Sequence, residues 1–181
     1  MVDYTLIIAY TGLALGASFL CSILEAVLLS TSHGHIAALK DTHPKVSDLW
    51  SQWKDDPERP LTAILTLNTI AHTVGALGVG AEVQTQFGGG MIVHVAAAVL
   101  TLAILLLSEI LPKTIGALYW RRLTIPSARI MKAMMFALWI IVKPIEITRS
   151  LLPAVETETV TRDELSVCLL YTSDAADDMQ C

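Results

Sequence analysis

Polar side chains interrupt three long apolar stretches of this sequence, at positions where a membrane makes polarity costly. The first stretch contains Ser22 and Glu25, the second contains Asn68, and the third contains Glu109. Placing Asp, Lys or Arg at the centre of a spanning helix costs roughly 2.5–3.5 kcal/mol, so intramembrane ionisable residues usually serve a function. All four residues offer oxygen atoms, which suit hard cations such as Mg²⁺, Ca²⁺, Mn²⁺ or Na⁺. The pattern predicts an intramembrane cation site.

Pro112 suggests a backbone ligand in the third stretch. Proline has no N–H, so in a regular helix the carbonyl of Ser108 would lose its hydrogen-bond donor. Because interrupted transporter helices coordinate ions through such freed carbonyls, we predict the Ser108 carbonyl as a ligand beside Glu109. Lys113 lies four residues after Glu109 on the same helical face. The alternative is therefore that these two charges only neutralise each other.

The other candidate ligands also have simpler interpretations. Ser22 could pack as a small residue or bond back to its own helix, and Glu25 could extend toward the interface. Asn68 could join helices through hydrogen bonds. His72, four residues after Asn68, is interpreted as a hydrogen-bonding group rather than a metal ligand, since no second His or Cys is placed to join it.

Hydropathy predicts an all-α, polytopic membrane protein with three transmembrane helices. The chain has 181 residues, of which 54% are hydrophobic and only 16% are charged. A bilayer core needs roughly 20 apolar residues in a helix, and the segments at about 4–30, 61–84 and 91–118 meet this requirement. We expect a cytoplasmic juxtamembrane helix at about 125–147, because its uninterrupted apolar run is too short to span. A fourth span is the alternative.

The distribution of basic residues predicts the orientation. The first interhelical loop and the segment after the third span are rich in Lys and Arg, whereas the second loop has none. The positive-inside rule therefore places the N-terminus outside and the C-terminus in the cytoplasm of a multi-pass protein of the inner or plasma membrane. The net charge of -5, with no broad basic face, gives no indication of nucleic-acid binding.

Glycines and other small residues predict close helix contacts. Gly12 and Gly16 form a GxxxG pattern in the first span, and Gly75, Gly78 and Gly80 line the second. Such residues allow close approach within a protomer or across a dimer.

Three motifs give the chain a family resemblance over about residues 4–165. They are Ser22-Ile-Leu-Glu25, Leu67-Asn68-Thr69 and Ser108-Glu109-Ile-Leu-Pro112-Lys113. They resemble the membrane domain of the CorC/CNNM family of magnesium transporters. The resemblance implies a homodimer in the lipid bilayer that holds a dehydrated Mg²⁺ and exports it, with Na⁺ as the coupling ion. The implied ligands are Ser22, Asn68, Glu109 and the Ser108 carbonyl, supported by Glu25, Pro112 and Lys113.

The resemblance also divides the chain. Residues 1–150 would form the transmembrane domain, and residues 151–166 would begin a cytoplasmic linker to a pair of nucleotide-regulated CBS domains. Residues 167–181 resemble translated sequencing-adapter read-through, so we expect a non-native tail and a missing CBS pair.

The predicted function is transport of divalent cations, magnesium above all. The alternative is a non-transporting membrane anchor, or a regulatory scaffold, for the lost CBS module. An enzyme is not expected, because the sequence shows no recognisable catalytic Ser/His or His/Asp pair and no HExxH motif.

Overall fold

The computed structural model describes residues 4–140 and 143–144, and this part of the chain contains helices and no strands. The elements along it are α1 Thr5–Ser30, α2 His33–Leu39, α3 Pro44–Asp55, α4 Glu58–Phe87, α5 Met91–Ala103, the π-helical segment Ile104–Ile110, and α6 Leu111–Ala137. Residues 139–140 and 143–144 are helical as well. The predicted linker at 151–166 and tail at 167–181 lie outside the described residues.

The predicted fold class is confirmed. Three helical runs are long and apolar enough to cross a membrane: Thr5–Ser30, Glu58–Phe87 and Met91–Ala137. The turn between the second and third runs depends on glycine, because Gly88 and Gly90 have φ angles of 75° and 94°. Residues with a Cβ rarely adopt such angles.

The third span and the predicted juxtamembrane helix meet at a kink. Tyr119 has non-helical dihedral angles, φ -105° and ψ 16°, and separates two helices within α6. The sequence predicted the end of the third span at about 118, which agrees with this kink, but the second helix follows directly, without the predicted gap up to 125. The predicted end of the juxtamembrane helix at 147 lies outside the described residues.

The first loop, predicted only as polar, contains two helices that pack against the bundle. Ser32 caps α2 by accepting a hydrogen bond from the His35 backbone N–H at 3.3 Å. In α3, Trp50 is fully buried and its indole Nε1 donates to the Thr124 carbonyl of α6 at 3.0 Å. At the end of α3, Lys54 donates to the Leu29 carbonyl of α1 at 3.4 Å, and burial lowers the pKa of Lys54. These contacts tie α3 to two spanning helices.

Helix α1 is the centre of the bundle. It packs against α4, against the π segment and against α6, whereas Leu100 is the one buried residue of α5. The main core lies at the C-terminal end of α1, where Leu24 and Leu28 meet Trp50, Ile64 and Met131.

Two glycines of α4 account for its close packing on α1. A Cβ added at Gly75 would collide with Ala14, and one at Gly78 would collide with the ring of Tyr10. By contrast, an added Cβ at Gly12, Gly16 or Gly80 would meet nothing within 4 Å in the described part of the chain. The predicted close contact is thus made within the protomer by Gly75 and Gly78, and the GxxxG pattern of α1 takes no part in it.

Candidate cation site

The register between α1 and α4 brings Ser22 and Asn68 to one level. The two helices run antiparallel. Along α1, Tyr10, Ala14 and Ser18 contact Gly78, Gly75 and His72 of α4 in turn, so residue numbers increase along α1 as they decrease along α4. Ser22 lies one turn beyond Ser18, and Asn68 lies one turn before His72. Residues four apart share a helical face, so Ser22 and Asn68 occupy the next level of the same contact.

Both residues are withdrawn from the surface at that level. Ser22 is 2% exposed. The Asn68 side chain is partly buried, and its Oδ1 atom is fully shielded without any hydrogen-bond donor within the described residues. Leaving a buried acceptor unsatisfied costs about 1–3 kcal/mol, so native structures rarely retain one without a reason.

Glu109 approaches α1 from the other side, on the π segment. This segment and α6 run parallel to α1, because Ser108 Oγ donates to the Leu15 carbonyl at 3.0 Å and Gly116 packs further along, at Ile23 and Ala26. Glu109 follows Ser108 directly, so in this register it lies nearer the level of Leu15 than that of Ser22, and its side chain is partly buried. Ser22, Asn68 and Glu109 thus stand on three helical runs that pack together, and their convergence on one site stays a prediction.

Pro112 changes the helix type instead of breaking the helix. The residues before it, Ile104–Ile110, adopt π-helical hydrogen bonding, and buried Pro112 lies in the first turn of α6, where its missing N–H is tolerated. Single turns of π-helix are often found at functional sites. The Ser108 hydroxyl donates its hydrogen bond to the Leu15 carbonyl, while the Ser108 carbonyl stays a predicted ligand.

Lys113 pairs with Glu25 and not with Glu109. Its Nζ lies 3.1 Å from Oε2 and 3.3 Å from Oε1 of Glu25. The predicted alternative, in which Glu109 and Lys113 neutralise each other, is therefore wrong for this structure. The π segment supplies a physical reason, since its wider turn alters the α-helical face that Glu109 would share with Lys113.

Ser18 and His72 form a polar contact that the sequence analysis did not assign to the site. Ser18 is fully buried, and its Oγ lies 2.7 Å from His72 Nε2, one turn from Ser22 and Asn68. The interpretation of His72 as a hydrogen-bonding group is confirmed. Ser18 could have been identified from its spacing, because it precedes Ser22 by four residues on the same face.

The candidate donors of this region are oxygen atoms. Among the described residues, no three His, Cys, Asp or Glu side chains are grouped to hold a metal ion. The available atoms are hydroxyl, amide and carboxylate oxygens, and such ligands prefer Mg²⁺, Ca²⁺ or Mn²⁺ to zinc or copper.

Comparison with known proteins agrees with this architecture. Residues 9–174 match the family model described as CNNM, the cyclin M transmembrane N-terminal domain. The chain is also similar to the UPF0053 protein sll1254 of Synechocystis sp., with 30% identity over 113 residues, which is 62% of this chain and 32% of that protein. The chain thus matches about a third of the length of this curated relative. Because the family match covers nearly the whole three-span bundle, we conclude that this chain is a membrane protein of the CorC/CNNM family.

Proposed function

We propose that this chain is the membrane part of a divalent-cation transporter, with magnesium as its cargo. The observation that carries the proposal is the shielded, unpartnered Oδ1 of Asn68 at the level of buried Ser22. A bound cation would satisfy this acceptor, since carbonyl-type oxygens are among the ligands of Mg²⁺ and Ca²⁺.

The environment of Asn68 Oδ1 supports transport over the anchor alternative. An asparagine that only joined helices would use its amide oxygen to accept a hydrogen bond from a neighbouring helix. No such donor reaches Asn68 Oδ1 among the described residues. A buried acceptor without a donor is expected of a cation ligand and is unfavourable for a purely structural anchor.

Glu109 supplies the charge of the proposed site. In the proposal, its carboxylate and the oxygens of Ser22 and Asn68 hold the cation, and the Ser108 carbonyl and water complete the shell of about six oxygens that Mg²⁺ requires. Membership of the CorC/CNNM family supports a metal cargo. Export, coupling to Na⁺ and a cytoplasmic C-terminus extend the proposal, as does a homodimer through the membrane domain. The largely exposed apolar surface of α5 leaves room for such a partner or for lipid.

The test is stabilisation of the purified 181-residue chain by Mg²⁺. A ligand at 100 times its Kd stabilises a protein by about 2.7 kcal/mol, which corresponds to roughly 5–10 °C in Tm for a chain of this size. We expect this shift with Mg²⁺, and we expect Asn68→Ala and Glu109→Gln to remove it.

Thr69→Val is the matched control. Thr69 adjoins Asn68 but is exposed, and its Oγ1 donates to the Leu65 carbonyl of its own helix at 2.8 Å. This variant should retain the full shift. Absence of a shift in the wild-type chain, or equal shifts in all variants, would favour the membrane anchor.

A further inference from the structure

We propose that Glu25 is a positioning residue that holds the Lys113 ammonium away from Glu109, leaving the Glu109 carboxylate free for the cation. This inference rests on the proposed function and assigns to Glu25 a role other than ligation. It starts from the ion pair between α1 and α6, whose side chains are 23% exposed at Glu25 and 45% exposed at Lys113.

The inventory of charges in this part of the bundle is short. Glu25 is the only Asp, Glu, Lys or Arg of α1, and Glu109 and Lys113 are the only two in the run 91–118. Those of α4 lie toward its two ends, at Glu58, Arg59 and Glu82. The same segments also contain the histidines His72 and His94. One ammonium group is therefore close in sequence to one carboxylate, Glu109, and close in space to another, Glu25.

The net charge of the candidate site depends on which carboxylate pairs with Lys113. An unpaired ammonium in a membrane is costly, so Lys113 favours pairing with a carboxylate within reach. Glu109 is four residues away along the same chain, which is the separation at which Glu and Lys pair in helices. The structure instead places Lys113 between the two carboxylate oxygens of Glu25. That pair is neutral as a unit, and Glu109 is left as the one uncompensated charge among the three.

A lysine released from Glu25 would compete with the cation. Without the Glu25 carboxylate, the Lys113 ammonium could pair with the Glu109 carboxylate. A positive charge beside Glu109 opposes binding of a dication at that carboxylate. Replacing a group that orients a metal ligand typically lowers metal affinity about 10–100-fold. We expect a loss of this size in the apparent Mg²⁺ affinity of Glu25→Gln, measured by isothermal titration calorimetry on the purified chain.

Removing the lysine should act in the opposite direction. Lys113→Gln leaves both carboxylates without an ammonium, so its Mg²⁺ affinity should equal or exceed that of the wild type. The double variant Glu25→Gln/Lys113→Gln should return to within about threefold of the wild type, because it removes the competitor together with its partner. Asp48→Asn, on the exposed surface of α3, controls for the loss of one negative charge and should bind as the wild type does.

The single variants distinguish this role from a structural one. An ion pair that merely fastened α1 to α6 would be lost equally in both, so equal weakening by Glu25→Gln and Lys113→Gln would overturn the inference. Unchanged affinity of Glu25→Gln, or a double variant as weak as Glu25→Gln, would overturn it as well. If the wild-type chain and the double variant both fail to bind Mg²⁺, the proposed function fails first, and the inference fails with it.

Discussion

Gly116→Ala tests whether the contact between α1 and α6 sets the geometry of the candidate site. A Cβ added at Gly116 would lie 2.8 Å from the Ala26 Cβ, 3.0 Å from the Ile23 carbonyl oxygen and 3.3 Å from the Ile23 Cα. Ordinary carbon–carbon contacts are about 3.5–4.0 Å, so the helices must separate by about 1 Å. Because two of these three neighbours are backbone atoms, a change of side-chain rotamer cannot relieve the collision.

The expected destabilisation follows from two opposing terms. Overpacking a close contact costs about 1–3 kcal/mol, and alanine in place of glycine in a helix returns about 1 kcal/mol. Gly34→Ala in α2 is the control, because an added Cβ there meets nothing within 4 Å. It shares the gain in helix propensity without the collision. The difference in Tm between the two variants should therefore reflect overpacking alone, at roughly 2–12 °C.

The same separation should weaken cation binding. Glu109 lies on the helical run that moves, while Ser22 lies on α1, and ligand sets must be held to within about 0.5 Å of their productive geometry. We expect Gly116→Ala to lose about tenfold or more in apparent Mg²⁺ affinity and Gly34→Ala to retain it. Thermal unfolding and calorimetry on both variants measure the two effects. Identical Tm and affinity in both would refute the idea that this contact positions the site.

Two further predictions concern the hydrogen bonds that join the helices. Trp50→Phe should lower Tm by a few degrees, because it leaves the Thr124 carbonyl without its buried donor at a cost of about 1–3 kcal/mol. Trp53→Phe preserves that hydrogen bond and should lower Tm less. A larger loss of Tm in Trp53→Phe than in Trp50→Phe would be inconsistent with docking of α3 on α6. Ser18→Ala should lower Tm in the absence of Mg²⁺ by a similar amount, because His72 Nε2 loses its hydrogen-bond partner. Thr69→Val, which removes a hydrogen bond within one helix, is the control. Equal Tm values for these two variants would argue against the Ser18–His72 contact.

Local sequence determined the broad architecture of this protein. The number and positions of the spans follow from hydropathy, because a bilayer excludes unpaired backbone and enforces long apolar helices. The glycine turn at 88–90 was predictable for a similar reason, since positive φ angles favour glycine. The motifs around Ser22, Asn68 and Glu109 also sufficed to suggest the family that the comparison then established.

The tertiary structure decided which polar groups meet. The spacing within one helix allowed Lys113 to pair with Glu109. Only the parallel packing of α6 on α1 shows that Lys113 pairs with Glu25 instead. The antiparallel register of α4 likewise pairs Ser18 with His72 and leaves Asn68 Oδ1 without a donor. Hydropathy and helical periodicity are properties of one segment, whereas these pairings depend on the rotation and register of two helices, which a single segment does not encode.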